Sequence, residues 1–209
     1  MAFARTWVEE LIAEWMQREG YLVETGMPVT IPKSDRIGKK GGGRYEADVV
    51  GARLNQDGLE VLHVETGAFL DQHNAERIGQ KFSDGVRQSV TNYFGKRLQV
   101  GQRHTNTYHK RFIVTYPHER KQKWDQWLTA IRQVDQEIQV DRLDEFIQRE
   151  VVRVLPKTGQ PTLAEGLWLL CLVHYLWEHG VCGFGSLPAQ PAKQPEMAQR
   201  VLASRSGPV

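Results

Sequence analysis

The chain has 209 residues, enough for one domain with a sizeable core plus an appendage. Hydrophobic residues make up 40% and charged residues 25%, a balance that excludes a wholly disordered chain. A formal net charge of +2 is too small for whole-chain attraction to a polyanion, so any such attraction must come from local clusters.

Residues 3–19 fit a helix, with Trp7, Leu11 and Trp15 recurring on one face beside Val8, Ile12 and Met16. Gly20 is its expected stop. "YLVETGMPVTI" (21–31) reads as a strand bent near Gly26 and Pro28, and 32–44 as a glycine-rich loop. "YEADVVGARL" (45–54) and "LEVLHVET" (59–66) form an antiparallel hairpin across "NQDG". Helical periodicity returns over about 72–94, with Ile78, Phe82, Val86, Val90 and Tyr93 on one stripe. A fourth strand is expected at 110–117, a helix at 118–134 and a short strand at 137–141, then helices near 142–153 and 162–178. A hairpin followed by helical crossovers implies a mixed sheet between helices.

Residues 1–183 are read as a single domain, with a core over about 5–155 and a helical extension over 156–183. Residues 184–209, rich in Pro, Ala, Gln and Ser, are read as a flexible tail. Cys171 and Cys182 have neither metal-ligand spacing nor a disulfide framework, so the expectation is two reduced thiols in a cytoplasmic protein. "MAFARTWVEE" carries acids too early for a signal peptide. "LWLLCLVHYLW" (167–177) is shorter than the roughly 20 residues of a membrane span. No membrane partner is expected, and this helix is read as a core element or the seam of a homodimer.

Two carboxylates carry the chemical reading. Asp48 lies about eight residues before the centre of the hairpin turn, and Glu65 about eight after it. Counting places them opposite each other on neighbouring strands, about 4.8 Å apart, where two like charges repel. A hard divalent cation relieves that repulsion, and Mg²⁺ is commonly held by one or two carboxylates. Glu46, two residues from Asp48, is expected on the same strand face. The chain has no Walker-type phosphate loop and no G-x-S-x-G elbow. "HTNTYH" (104–109) has two histidines but no second ligand pair, and reads as an exposed loop.

The order helix, strand, Asp48 on the next strand, Glu65 on the one after, then helix, resembles the PD-(D/E)XK nuclease superfamily over roughly residues 5–117. Glu9 lies on the opening helix, eleven residues before Gly20, as a family glutamate does. The resemblance implies an α/β, restriction-endonuclease-like mixed β-sheet flanked by helices, with extra C-terminal helices here. It implies Mg²⁺ (or Mn²⁺) held by Asp48 and Glu65, assistance from Glu9, and hydrolysis of DNA phosphodiester bonds. One position departs from the family: its Glu-X-Lys motif reads Glu65-Thr66-Gly67, so a glycine stands where the lysine belongs. Either Lys81 on the following helix replaces it, or another group or the metal alone serves, or the fold is kept without catalysis as a nucleic-acid-binding or protein-interaction subunit.

Local basic clusters suit a phosphate backbone. Lys33, Arg36, Lys39, Lys40 and Arg44 crowd the loop before Asp48, and Arg103, Lys110 and Arg111 a later segment. Such side chains give sequence-independent attraction to nucleic acid, and DNA is the expected partner.

Overall fold

The computed structural model describes residues 6–36, 43–56, 58–67, 74–100, 105–115, 121–155 and 167–178. The expected tail, Cys182 and the stretch 156–166 fall outside them. Helix α1 (Trp7–Arg18) begins at Thr6, whose hydroxyl oxygen accepts from the Glu9 backbone N–H at 3.2 Å. The Thr6 hydroxyl also donates to Glu9 Oε1 at 3.2 Å. The cap thus satisfies one of the N–H groups that a helix start leaves open. Gly20, at φ 85°, ends the helix turn in a conformation that favours glycine.

Five strands form one sheet in the order β1-β2-β3-β4-β5. They are β1 (Leu22–Thr30), β2 (Arg44–Leu54), β3 (Gly58–Gly67), β4 (Thr105–Val114) and β5 (Ile138–Arg142). The pairs β1/β2 and β2/β3 are antiparallel; β3/β4 and β4/β5 are parallel. The mixed α/β sheet expected from the element order is therefore present. Strand β4 starts at Thr105 rather than 110. "TNTYH" has few apolar residues and looks like a loop, yet its Thr and Tyr residues suit a pleat and pair along β3 from Gly58 to Leu62.

Helices cover both faces. On one, α1 packs with α5 (Leu143–Phe146), a π-helical turn at Ile147–Val151, α6 (Val152–Val154) and α7 (Trp168–Glu178) over Val49, Leu62, Val64 and Ile113. On the other, α3 (Asp84–Arg97) covers β1–β3, while α2 (Ala75–Lys81) and α4 (Lys121–Val134) cover Phe112, Val114 and Ile138. Gly51 permits close approach of α1: a Cβ there would lie 2.5 Å from Met16 Cε. Helix α7 is tied to α1 by buried Glu14, whose two carboxylate oxygens accept from the Leu169 and Leu170 backbone N–H groups at 3.1 and 2.7 Å. No helix among the described residues is long and apolar enough to cross a membrane.

The single helix expected over 72–94 is two. It breaks at Phe82 and Ser83, and the second helix continues to Arg97. The buried stripe is Ile78, Phe82, Val86, Val90 and Phe94. Tyr93 is exposed instead, its hydroxyl donating to Glu24 Oε1 at 3.1 Å.

Candidate functional site

The sheet forks at the two acids. The β2/β3 ladder runs from Leu54↔Leu59 to Val49↔Val64 and stops there. Beyond it, β2 continues only along β1, from Ala47↔Met27 to Arg44↔Thr30, while β3 continues only along β4, from Glu65↔Phe112 to Gly67↔Val114. Asp48 and Glu65 are the next residues on either side of the last rung, as hairpin counting expects.

The alternation of β2 slips at Asp48. Ala47 packs with Val50 and Ala52 under α3, whereas Val49 packs under α1. A regular strand would put Ala47 and Val49 together. Gly26, between the rungs Thr25↔Val49 and Met27↔Ala47 on β1, sits at φ 59°, which accommodates the slip. Glu46 therefore does not inherit the orientation of Asp48 from a period of two, and it is exposed.

Side chains lace the fork where the ladder ends. The Asp48 backbone N–H donates to Glu65 Oε1 at 3.3 Å. The Thr66 N–H and hydroxyl donate to Asp48 Oδ2 at 2.7 and 3.0 Å. Each acid thus accepts from the backbone of the opposite strand.

Glu65 is fully buried. Its Oε1 also accepts from His63 Nε2 at 2.7 Å, and its Oε2 pairs with Lys81 Nζ. Burial pushes its carboxyl up, but the His63 hydrogen bond and the Lys81 charge outweigh it, so the carboxyl lies below its ordinary value. Asp48 goes the other way. Burial and the charge of Glu65 push it up to about 6, against the opposing pull of Lys81 and Thr66. Lys81 is raised: burial would lower it, but Glu65 and Asp48 hold the proton on, and Glu9 adds to their effect.

Lys81 reaches the fork from the last turn of α2, and the Tyr45 hydroxyl donates to the Lys81 carbonyl at 2.7 Å. Glu9 enters from α1; it is buried, and its charge acts on both Asp48 and Lys81. The structure thus gathers Glu9, Asp48, Glu65 and Lys81 at one place, from four different elements. Gly67 ends β3, where its carbonyl accepts from the Thr115 N–H at 2.9 Å.

The donor set suits a hard cation. Asp48 and Glu65 offer oxygen, and the burial and Glu65 charge that raise the Asp48 carboxyl are what an added positive charge offsets. Both hydrogen bonds to the Asp48 carboxylate from described residues fall on Oδ2, on one side of the group. Among the described residues no group of three or more His, Cys, Asp or Glu forms a metal-holding cluster.

The basic residues divide. Lys33 and Arg44 are exposed. Arg36 is half-buried and donates to the Ile31 carbonyl at 3.1 Å. Lys39, Lys40 and Arg103 lie outside the described residues. Lys110 and Arg111 correct the reading of an open basic segment. They stand on β4, paired on both sides, so both side chains are buried. Lys110 pairs with Asp135 and Glu137 at 2.8 and 2.9 Å, and Arg111 with Asp141 at 2.6 Å. The Arg111 guanidinium also lies over the Trp15 and Phe146 rings, 5.6 and 4.9 Å from their centroids. These cations hold the fold together and are taken up by its own carboxylates.

Sequence reasoning missed His63, Thr66 and Tyr45 around the acids. His63 had a usable signal: two residues before Glu65 on a strand, it shares that residue's face. A cavity of about 570 Å³, lined by Asp35, Glu76, Gln80, Lys110 and Asp135 among others, includes none of the four gathered residues. The chain matches no protein-family model, no curated protein and no solved structure.

Proposed function

We propose that the chain is a Mg²⁺-dependent nuclease of the PD-(D/E)XK type, with a restriction-endonuclease-like fold, hydrolysing DNA phosphodiester bonds at the sheet fork. The observation that carries this reading is the convergence of Glu9, Asp48, Glu65 and Lys81, with the ammonium of Lys81 against a buried carboxylate. Lys81 supplies from α2 the cation that Gly67 cannot supply from β3.

Asp48 and Glu65 hold the ion, which when bound supplies Lewis-acid stabilisation of charge developing on the phosphate. Lys81 contributes a fixed positive charge beside the scissile group and a donor that can orient the attacking water. Glu9 lends a further negative charge that keeps Lys81 protonated. Thr66 holds Asp48 in place through two hydrogen bonds. The exposed cations Lys33 and Arg44 precede Asp48 in the chain and suit the DNA backbone.

The test uses plasmid, branched and single-stranded DNA with Mg²⁺, Mn²⁺ or EDTA, beside Asp48→Ala and Glu65→Ala. Metal-dependent cutting that disappears in EDTA and in both variants is the expected result. DNA retention without cutting, unchanged in both variants, would favour a binding subunit instead. That second reading has its own observation: both oxygens of Glu65 already have partners within the protein.

A further inference from the structure

Glu65 has a neighbour that the proposed reaction leaves unused. His63 is fully buried on β3 and packs on the Phe82 ring, with centroids 4.8 Å apart. Its Nε2 lies 2.7 Å from Glu65 Oε1. Its Nδ1 lies 2.7 Å from the Tyr108 hydroxyl on β4. A buried imidazole with both nitrogens engaged in this way has one face of its chemistry turned to the acid.

An ionised carboxylate only accepts hydrogen bonds, so the proton of this contact belongs to Nε2. Burial, then the charge of Glu65, push the Tyr108 hydroxyl far up, so it keeps its proton and has one to give.

We propose that Tyr108 and His63 form a positioning chain for Glu65: Tyr108 donates to Nδ1, His63 donates from Nε2 to Oε1, and Oε2 is thereby turned to Lys81 and the fork. The proposal rests on the reading of Glu65 as a member of the reacting site. Its physical logic is orientation. A glutamate has three side-chain rotations, and a site needs one of its oxygens held in a fixed direction. The imidazole is rigid and held at both nitrogens, so it fixes the direction of the group, as outer partners of ligating side chains commonly do. His63 is a positioning residue here, acting through Glu65.

The test uses the full chain and three variants: Tyr108→Phe, which removes only the far link, His63→Ala and His63→Gln. Imidazole ¹⁵N spectra of the wild type should show the His63 proton on Nε2 with Nδ1 accepting, and Tyr108→Phe should keep the proton on Nε2 while shifting the Nδ1 resonance as it loses its donor. Calorimetry with Mn²⁺ should show affinity falling about 10–100-fold in His63→Ala, with partial recovery in His63→Gln, whose amide can still donate. Tyr108→Phe should lower kcat on DNA by about 3–10-fold with KM unchanged, a milder form of the same loss.

A proton on His63 Nδ1 would overturn the chain. So would Mn²⁺ affinity and kcat that stay within twofold of wild type in both His63→Ala and Tyr108→Phe. If His63→Ala does not fold, Tyr108→Phe decides, since it deletes one hydroxyl and no volume of consequence. A wild type that neither binds Mn²⁺ nor cuts DNA, yet shows the Nε2 proton and the Nδ1 shift in Tyr108→Phe, would remove the nuclease reading and leave the hydrogen-bonded chain standing.

Discussion

Replacing Asp48 by Asn should stabilise the protein, and the gain should depend on pH. The Asp48 carboxyl moves from an ordinary 3.8 up to about 6 in the folded state, through burial first and the charge of Glu65 second. A carboxyl raised on folding favours the fold while protonated and loses that favour as it ionises. The stability is therefore fully present below pH 3.8 and declines as the pH rises through about 6. At pH 8 the full shift amounts to about 3 kcal/mol against the folded state. Asp48 keeps some contact with solvent, which screens the charge, so about 1–2 kcal/mol is the expected difference. Asn keeps an oxygen to accept from the Thr66 N–H and carries no charge to repel Glu65. For a domain of this size that corresponds to a rise of about 3–6 °C in Tm at pH 8. The gain should roughly halve at pH 5 and vanish below pH 4. Differential scanning calorimetry in EDTA across this range measures it, because chelation removes any ion that would offset the repulsion. An equal gain at pH 4 and pH 8, or a loss at pH 8, would refute the argument that burial and the charge of Glu65 together hold the Asp48 carboxyl above its ordinary range.

Glu65→Ala should behave in the opposite sense, since it strips the acceptor from His63, from Lys81 and from the Asp48 N–H. A loss of about 2–4 kcal/mol is expected, read as a drop in urea midpoint at unchanged slope. Lys81→Met should lower kcat for DNA cutting by about 100-fold or more while leaving DNA retention nearly intact, measured by single-turnover kinetics beside a binding titration. Arg111→Met should destabilise by about 3–5 kcal/mol, because it leaves buried Asp141 short of a partner, and should not change the salt dependence of DNA binding. Lys33→Gln and Arg44→Gln should each reduce the slope of log affinity against log salt by about 1 without changing Tm.

Much of this arrangement is legible in the sequence. Hairpin counting alone put Asp48 and Glu65 at the same level, because a short turn fixes an antiparallel register. The helix carrying Glu9 was visible in its apolar stripe. The arrival of Lys81 was harder to see, because it depends on how α2 folds back over the sheet and ends at Phe82, a tertiary event without local periodicity. Lys110 and Arg111 were misread for a related reason. A run of cations looks like a surface until the strand that holds it proves to be paired on both sides. Their partners, Asp135 and Asp141, lie 25 and 30 residues further on and belong to other elements. The slip of alternation at Asp48 was equally invisible, since it needs the positive φ of Gly26 on a neighbouring strand.

The fork also bears on how such a chain can change over generations. Asp48 and Glu65 each mend the gap left by the last backbone rung, so the sheet itself demands an acceptor at both positions. Selection for a sound sheet and, under the proposed function, selection for a reaction fall on the same two side chains. Lys81 is tied to the same fate, because its ammonium answers the buried Glu65 carboxylate and its loss alone would strand a charge inside the protein. Acids and lysine would therefore have to change together in any descendant of this chain.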